Sequence, residues 1–395
     1  MIRKSGDRFS LATNAVRVCA EIMLKHEMGT ASKNLLRFLG AAVAIILLAA
    51  GLNYVVDPLQ LFRPARLFAA MYSPDSRMQD AGLIRSQQFD TAFMGTSLAI
   101  HFRQSDIDKA LGVRSLKLSM TGSTSKEQSF VLAAALERRP KRVLWQMDDW
   151  IFRNASDVDS ESYFPADFYR RNAKGIASYL FSGAMARESL LIVARSIPPL
   201  RLTVARLASG VVFKFPIADI DDLNVLRPEF DIAGFYNAKA ALSSFKRMTD
   251  PARSADIAAG YDYNAMVAGF ERDAIGLIER NPDVTFDIYF APYSILQFVS
   301  MRDASPSTLK ITYDFTAYAF PRLTKLPNVR LHDFREVKAI THDLNNYGDV
   351  VHHSPAIDLK ILQMLAERKH VVDPAAPLAS LERLKAQVEA YRVER

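Results

Sequence analysis

Residues 91–97, TAFMGTS, form a short apolar run that ends in Gly-Thr-Ser, and this stretch decides the fold prediction. An apolar run of this length that stops at a turn residue indicates a buried strand. Two further strands are predicted at Arg114–Met120 and Arg142–Met147, with helical patterns between successive strands at Asp106–Leu111 and after Ser125. Short strands that alternate with helices indicate parallel βαβ units and therefore an α/β fold.

The same alternation returns in the second half of the chain. Residues 155–260 carry helical patterns and are predicted to be a helical insertion in the α/β domain. The elements predicted after the insertion are a helix at Tyr261–Arg280, a strand at Thr285–Phe290, a helix at Pro306–Leu323, a strand at Val329–Leu331, and helices at Pro355–Glu367 and Leu378–Val393. A parallel sheet therefore continues on the far side of the insertion.

An uncharged apolar run lies near the start of the chain at 38–56, FLGAAVAIILLAAGLNYVV. As a helix it would measure roughly 28 Å, close to the thickness of a bilayer's hydrocarbon core. Lys33 and Arg37 precede the run, and the next basic residue after it is Arg63. Because basic flanks stay in the cytoplasm, we expect a single-pass inner-membrane helix with residues 57–395 outside the cytoplasm, in the periplasm of a Gram-negative cell.

The alternative for this run is a cleaved signal peptide, since Ala49, Ala50 and Gly51 are small. The basic leader is long for a signal peptide, so an uncleaved anchor is the preferred interpretation. Met28 is an alternative translation start, which would leave residues 1–27 untranslated. The predicted organisation is a cytoplasmic segment at 1–37, the membrane helix at 38–56, a linker at 57–85, the α/β domain at 86–374 and a C-terminal helix at 375–395.

Composition excludes several classes of function. The 395 residues carry a net charge of +7 but no Lys/Arg run of the kind that marks a nucleic-acid tail, so no nucleic-acid partner is expected. Cys19 is the only cysteine, which excludes an intrachain disulfide and a cysteine-based zinc site. The histidines show no spacing typical of metal ligands, so neither a metal nor a cofactor is expected.

Four residues at predicted strand ends and in a late loop carry the chemistry. Ligands bind at the carboxyl ends of strands in an open parallel sheet, and Ser97 and Gly122 follow the first and second strands. Asp349 stands three residues before His352, where its carboxylate can fold back and hold the imidazole in the tautomer that accepts a serine proton. A backbone N–H beside a glycine can approach a developing oxyanion. The set indicates acyl transfer.

These residues give the chain a resemblance to the SGNH/GDSL hydrolase superfamily. The family's first block, a strand followed by Gly-x-Ser, is matched by Gly95-Thr96-Ser97; its glycine block is matched by Gly122 in LSMTGSTSKEQ; and its Asp-x-x-His block is matched by DVVH at 349–352. The resemblance covers about residues 50–370. It is closest to membrane-anchored bacterial proteins that acylate envelope polysaccharides or teichoic acids.

The resemblance implies a three-layer, flavodoxin-like parallel sheet and an ester-forming or ester-cleaving site. Ser97 would be the acylated nucleophile, His352 the general base and then acid, and Asp349 the residue that orients His352. The N–H groups of Ser97 and Gly122 would form the oxyanion hole.

The third block of the family departs from the pattern in this chain. Where the family offers an asparagine amide to the oxyanion, this sequence has Asp148 and Asp149 in WQMDDWIF. An ionised carboxylate accepts hydrogen bonds but cannot donate them, and it repels an oxyanion. Four side chains are predicted to line the site: Asp148, Asp149, Tyr293, which follows a strand, and His353, which is an alternative to His352 as the base.

The chain is therefore expected to be a membrane-anchored extracytoplasmic serine esterase or O-acyltransferase. Its expected substrates are acyl esters of a cell-envelope polysaccharide, with acetyl as the expected acyl group. One alternative is an inactive SGNH-like scaffold that binds the polymer or a membrane O-acyltransferase partner. A second alternative is an esterase that acts on small or lipid esters.

Overall fold

The computed structural model describes residues 6–68, 70, 72–73, 75–153, 164–170, 172–197, 220–222 and 234–393. Within these ranges, five parallel strands form one sheet in the order β2-β1-β3-β4-β5. The strands are β1 Thr91–Gly95, β2 Ser115–Ser119, β3 Arg142–Gln146, β4 Thr285–Phe290 and β5 Val329–Asp333. The predicted α/β fold with a parallel sheet is confirmed, and each strand lies within two residues of its predicted bounds.

The helices of the described residues are numbered in chain order. They are α1 Gly6–Val56, α2 Ser76–Ser86, α3 Gln104–Leu111, α4 Ser125–Leu136, α5 Ala166–Tyr169, α6 Ala173–Leu180, α7 Gly183–Ser196, α8 Ala238–Met248, α9 Pro251–Ala259, α10 Tyr263–Gly269, α11 Gly276–Glu279, α12 Ile295–Ala304, α13 Pro306–Thr324, α14 Lys338–Thr341, α15 Pro355–Ala366 and α16 Ala379–Ala390. A π-helical segment, Phe270–Ile275, joins α10 to α11, so the helix predicted over 261–280 is continuous.

Both faces of the sheet are covered. Every residue of β1 and β2 is buried, as are all but the first residue of β3 and of β4, regardless of which face the side chain points to. Side chains alternate between the two faces of a strand, so burial without alternation requires protein on both sides. Polar residues of the strands, such as Lys117 of β2 and Asp287 of β4, are therefore buried as well.

Local capping defines where α4 begins. Thr124 accepts a hydrogen bond from the Glu127 backbone N–H, and the Glu127 carboxylate accepts one from the Thr124 N–H, which is a complete capping box. The Glu127 carboxylate also pairs with Arg77 of α2, at 2.7 Å from Arg77 Nε to Glu127 Oε1. Glu127 thus stabilises both the start of α4 and the contact between α2 and α4.

The stretch 57–85 differs from its prediction as a linker. It contains most of α2, and Leu59, Leu61 and Leu83 are buried in the main hydrophobic core. The Asp57 carboxylate accepts hydrogen bonds from the backbone N–H groups of Leu61 and Phe62 at 2.8 and 2.9 Å, which folds the chain back at the end of α1. This stretch belongs to the folded domain because its apolar side chains are buried there.

The predicted insertion at 155–260 is helical where it is described, from α5 to α9. Three parts of that prediction, 155–163, 198–219 and 223–233, lie outside the described residues. The segment 234–259 runs past the carboxyl ends of the strands, and its helices α8 and α9 form one wall of the cavity described below.

The first helix contains the predicted membrane segment. Its part Ser32–Val56 is long and apolar enough to cross a bilayer, and nearly all of its side chains are exposed. Among the described helices it is the one that meets this criterion alone, while α6 and α7 meet it together as a pair bent by 55°. Length and composition thus mark α1 as a candidate membrane span.

Candidate active site

A cavity of ≈ 360 Å³ opens at the carboxyl edge of the sheet. Strand β1 lies between β2 and β3, so the chain reverses its winding direction at β1, which is where open α/β sheets bind ligands. The described residues that line the cavity are Thr96, Ser97 and Leu98 after β1; Asp149, Trp150 and Arg153 after β3; Ser244, Met248, Arg253, Ile257 and Tyr261 from the insertion; Tyr293, Gln297, Phe298 and Met301 after β4; and Asp349, Val350, Val351 and His352 after β5.

Three of the predicted site residues form one hydrogen-bonded chain in this cavity. Ser97 Oγ lies 2.9 Å from His352 Nε2, and His352 Nδ1 lies 2.7 Å from Asp349 Oδ2. A carboxylate on Nδ1 keeps the proton on that nitrogen, which leaves Nε2 free to accept the serine proton. The arrangement can therefore activate Ser97 as a nucleophile toward an ester carbonyl.

Local backbone geometry holds Asp349 and His352 together. The second carboxylate oxygen of Asp349, Oδ1, accepts hydrogen bonds from the backbone N–H groups of Val351 and His352, each at 2.7 Å. Burial alone would raise the pKa of Asp349, but hydrogen bonds from the His352 ring and from these two N–H groups lower it to about 2. The carboxylate stays ionised across the range in which a histidine base works.

The Ser97 turn is fixed by the neighbouring strand β3. Gln146, the last residue of β3, accepts hydrogen bonds at its Oε1 from the Thr96 backbone N–H at 2.9 Å and from the Thr96 hydroxyl at 3.0 Å. Ser97 then opens a short 3₁₀ turn, Ser97–Ala99, and no acceptor in the described part of the chain takes its backbone N–H. That N–H is available to a bound oxyanion.

Gly95 is required by this close packing. A Cβ at residue 95 would collide with the Cβ of Ala99 and lie 3.0 Å from Gln146 Oε1. We expect Gly95→Ala to lower the free energy of unfolding by about 1–3 kcal/mol, because overpacking displaces the Ser97 turn. Gly183→Ala is the matched control, since a Cβ at residue 183 meets nothing within 4 Å. Thermal unfolding in detergent measures both; equal midpoints for the two variants would contradict this packing argument.

The two aspartates after β3 point to different places. Asp148 is buried beneath the cavity, where its Oδ2 accepts a hydrogen bond from the Thr96 hydroxyl at 3.2 Å, and it does not line the cavity. Burial raises the pKa of Asp148, and the polar groups of Tyr293, Gln146 and Thr96 act against that rise. Asp149, in contrast, is one of the residues that line the cavity, and it begins the short 3₁₀ turn Asp149–Phe152.

The Asp149 carboxylate contacts helix α13. Its Oδ2 accepts a hydrogen bond from the Thr312 hydroxyl at 3.1 Å. Burial raises the pKa of Asp149 to about 6; the charge of Arg335 opposes the rise and the charge of Asp148 adds to it. The carboxyl is thus protonated below that pH and becomes an anion in the cavity wall above it.

This pKa shift predicts a stability effect. An unfolded aspartate titrates near about 3.9, so between that pH and about 6 the folded protein keeps a proton that the unfolded chain has lost. The free energy of unfolding therefore falls as pH rises through this window. We expect Asp149→Asn to match the parent near about pH 4 and to exceed it at neutral pH by on the order of 3 kcal/mol at most. Thermal midpoints from pH 4 to pH 8 measure this, and parallel curves for variant and parent would refute it.

The remaining predicted residues are not all brought to the cavity. Tyr293 is buried in its wall, after β4. His353 faces away from Ser97 and lies 3.2 Å from the Asp358 carboxylate, measured from Nδ1 to Oδ1, so it is His352 that contacts the serine. Gly122 sits in the exposed turn after β2 with φ +65°, a left-handed conformation that favours glycine, and it is absent from the described lining. Its role in an oxyanion hole stays a prediction.

Sequence reasoning missed Thr96 and Gln146, which hold the nucleophile turn, and the wall supplied by α8 and α9. Gln146 had one usable signal, since a polar residue at the end of an apolar strand next to β1 is expected to face the Ser97 turn. The sequence contains no signal that places Met248, Arg253 and Ile257 at the cavity, because their pattern is that of an ordinary amphipathic helix.

The described residues contain no group of three or more His, Cys, Asp or Glu side chains arranged to hold a metal ion. Two cations, Arg153 and Arg253, stand at the cavity together with the apolar surfaces of Trp150 and Phe298. Compared with known proteins, the chain matches no family model and no curated protein. Its function must therefore be argued from this geometry.

Proposed function

We propose that this chain is a membrane-anchored extracytoplasmic serine esterase or O-acyltransferase of the SGNH/GDSL type, with a three-layer, flavodoxin-like domain, and that it acts on acyl esters of a cell-envelope polysaccharide. The observation that carries the proposal is the chain of contacts from Ser97 through His352 to Asp349, at 2.9 and 2.7 Å, within one cavity. The strand order 2-1-3-4-5 supports the fold assignment.

The first chemical step follows from the geometry. Ser97 Oγ attacks the acyl carbonyl carbon and forms a C–O bond, while its proton passes to His352 Nε2. The tetrahedral intermediate collapses when the bond to the leaving alcohol breaks, and His352 returns the proton to that alcohol's oxygen. The Asp349 carboxylate stabilises the imidazolium that exists between these two events. The product is an acyl ester of Ser97.

The second step decides between hydrolysis and transfer. Water or a saccharide hydroxyl attacks the acyl group, its proton passes to His352 Nε2, and Ser97 leaves with a proton returned from the imidazolium. A cavity of ≈ 360 Å³ lies within the size range of small-ligand pockets. We propose acetyl as the acyl group and a hydroxyl of the polymer as donor or acceptor, with a membrane O-acyltransferase as a candidate partner.

Anchoring is part of the same proposal. We place residues 38–56, within the apolar stretch Ser32–Val56, across the inner membrane with the N-terminus in the cytoplasm and the α/β domain in the periplasm. The length and exposure of that helix support a span, and Lys33 and Arg37 before residue 38 support this orientation. An enzyme anchored in this way acts on polymers at the outer surface of the membrane.

The charge of Asp149 is expected to affect the rate of ester hydrolysis. Asp149 lines the cavity, and its carboxyl group is ionised at neutral pH because its pKa is about 6. We expect Asp149→Asn to raise kcat/KM for an acetyl ester by about 10-fold at pH 7.5, because a negative charge that repels the developing oxyanion is removed. Steady-state hydrolysis of p-nitrophenyl acetate measures the change.

Asp148→Asn is the control for this gain. Asp148 is buried outside the cavity lining and accepts a hydrogen bond from the Thr96 hydroxyl. We expect no gain from its substitution. A gain of similar size in both variants would show that the effect does not come from the charge of Asp149.

A second candidate function is a catalytically inactive scaffold that binds polymer or a membrane O-acyltransferase. The observation that favours it is the composition of the lining, since the acidic Asp149 is part of it and Gly122 is outside the described lining. Losing one oxyanion donor typically costs about 2.7–4 kcal/mol of transition-state stabilisation. Such a loss slows catalysis without preventing ligand binding.

A fluorophosphonate probe separates the two functions. The probe reacts with an activated serine, so the enzyme proposal expects stoichiometric labelling of the peptide that contains Ser97 and loss of labelling in His352→Gln. His353→Gln is the matched control and is expected to keep the label, since His353 faces Asp358. A folded chain that takes no label would support the scaffold and refute the enzyme.

A further inference from the structure

Helices α6 and α7 pack directly onto the last turns of α1. Asn53 of α1 is fully buried; its amide nitrogen donates to the carbonyl oxygens of Leu180 and Ser182 at 2.9 and 3.2 Å, and its Oδ1 accepts from the Ser189 hydroxyl at 3.0 Å. The polar atoms of this asparagine are therefore satisfied by the break between α6 and α7 and by one serine of α7. This explains how an asparagine is accommodated at the end of an apolar span.

The contact fixes the depth of the two helices. Asn53 and Ala50, both buried, lie inside the candidate span Ser32–Val56. With a rise of about 1.5 Å per residue, they stand roughly 5 and 9 Å before the end of that helix at Val56. Whatever covers these two residues must lie at the same level, so if α1 crosses the bilayer, α7 reaches the level of its outer boundary.

The outward sides of α6 and α7 carry exposed apolar residues. Ile176, Phe181 and Leu190 are 41, 54 and 59% exposed, and the charged side chains of Lys174 and Arg187 are exposed on the same two helices. On α7 the residues that face inward are Met185, Ser189 and Ile192, at a spacing that forms one helical face, so Leu190 projects from a different side. Both helices pack against α1, whose own exposed surface is apolar, and exposed apolar groups beside such a surface mark contact with lipid or with another protein.

We propose that α6 and α7 are a second membrane-contacting element, and that acyl chains of the outer leaflet cover Phe181, Leu190 and Ile176. The inference rests on the membrane anchorage of α1 proposed above and is independent of the chemistry at Ser97. Lipid is the occupant because the patch lies beside a candidate span and at its depth. Together, α6 and α7 are also apolar enough for the spanning criterion but are bent by 55°, as expected for an element that dips into a bilayer without crossing it.

Hydrogen bonds make this element a rigid part of the domain. Tyr179 at the end of α6 donates its hydroxyl proton to Asp57 Oδ1 at 2.9 Å, and Asp57 is buried where α1 ends. The same carboxylate binds the N–H groups that turn the chain into the domain. Contact of α6 and α7 with lipid therefore sets the height of the domain above the membrane, instead of leaving it on a free tether.

Site-specific labelling of the full-length chain tests the proposal. In a Cys19→Ser background, which has no other cysteine, single cysteines replace Phe181 and Leu190 and carry an environment-sensitive NBD label. Leu48→Cys, on the exposed surface of α1, is the lipid reference. Ala386→Cys, exposed on α16, which packs against α12 and α13, is the water reference. The chains are reconstituted in phosphatidylcholine–phosphatidylglycerol vesicles and quenched with doxyl-labelled lipid or with iodide.

We expect the labels at residues 181 and 190 to be quenched by doxyl lipid at least half as strongly as the label at residue 48, and to resist iodide. The label at residue 386 is expected to behave in the opposite way. Labels at residues 181 and 190 that match residue 386, while residue 48 is lipid-quenched, would overturn the proposal but leave the anchor intact. A label at residue 48 that iodide reaches would overturn the anchor and this inference together. Fluorophosphonate labelling of Ser97 in each variant reports on folding and on the enzyme proposal separately.

Discussion

Ser97→Ala is expected to lower kcat/KM for acetyl esters by about 10³-fold or more, with little change in thermal stability. The hydroxyl is the only group of the triad that can form the acyl bond, and its loss leaves His352 without a proton to accept at 2.9 Å. The Ser97 side chain is only partly buried and makes no other side-chain contact that the fold requires. Stability should therefore survive the substitution. Hydrolysis of p-nitrophenyl acetate and release of acetate from an acetylated polysaccharide measure the loss.

Ser105→Ala is the control for this substitution. Ser105 is exposed on α3, and only its backbone N–H takes part in a described hydrogen bond, to Asp221 at 2.9 Å. Its alanine variant should keep full activity. If Ser97→Ala retained the parent's turnover on both substrates, the nucleophile assignment would fail and any esterase activity would have to come from elsewhere in the chain.

The second large effect is expected at Asp349. Asparagine at this position would keep an oxygen for the N–H groups of Val351 and His352 but could present its NH₂ group to His352 Nδ1. That would stabilise the tautomer with the proton on Nε2, which cannot accept a proton from Ser97. We expect Asp349→Asn to lower kcat by about 10³–10⁴-fold.

The pH profile supplies a second readout for Asp349. The pKa of Asp349 is lowered to about 2, so this carboxylate does not titrate between pH 5 and pH 9 and the parent's acid limb must come from another group. Asp343→Asn is the matched control: Asp343 is exposed in the same loop, and its side chain caps the short turn Leu344–Asn346, a role that asparagine also fills. Loss of more than half the activity in the control, or less than 10-fold loss in Asp349→Asn, would contradict the orienting role.

Local signals explain which elements were predictable. The five strands are short segments in which apolar residues form a run or alternate with polar ones, and their positions therefore follow from neighbouring residues in the sequence. Helix α12, Ile295–Ala304, was missed because seven consecutive residues from Ile295 to Met301 are buried, and a helix that is buried on all sides has no amphipathic period to reveal it. The stretch 57–85 was predicted to be a linker because it is rich in proline and arginine. It contains few leucines, but Leu59, Leu61 and Leu83 are buried in the core.

The contacts of the candidate site are also of two kinds, local ones that the sequence predicts and long-range ones that depend on the fold. Asp349 and His352 are three residues apart, and their contact is a local turn that the DVVH motif already predicts. Ser97 is separated from His352 by 255 positions, so motif order suggested their pairing but only the packing of the sheet brings the two atoms to 2.9 Å. The tertiary structure also decides which of two neighbouring side chains faces the site. Asp149 lines the cavity and Asp148 does not, and it is His352, not His353, that contacts Ser97.

By itself, the sequence determined the α/β class, the apolar run and the pairing of Asp349 with His352, because each depends on periodicity or spacing within about twenty residues. The tertiary structure alone decided that Gln146 holds the Ser97 turn, that α8 and α9 wall the cavity, and that Asn53 is covered by α6 and α7. Those contacts join residues from distant parts of the chain. Their partners are selected by the shared burial of whole helices and strands, a property of the folded chain that no short segment contains.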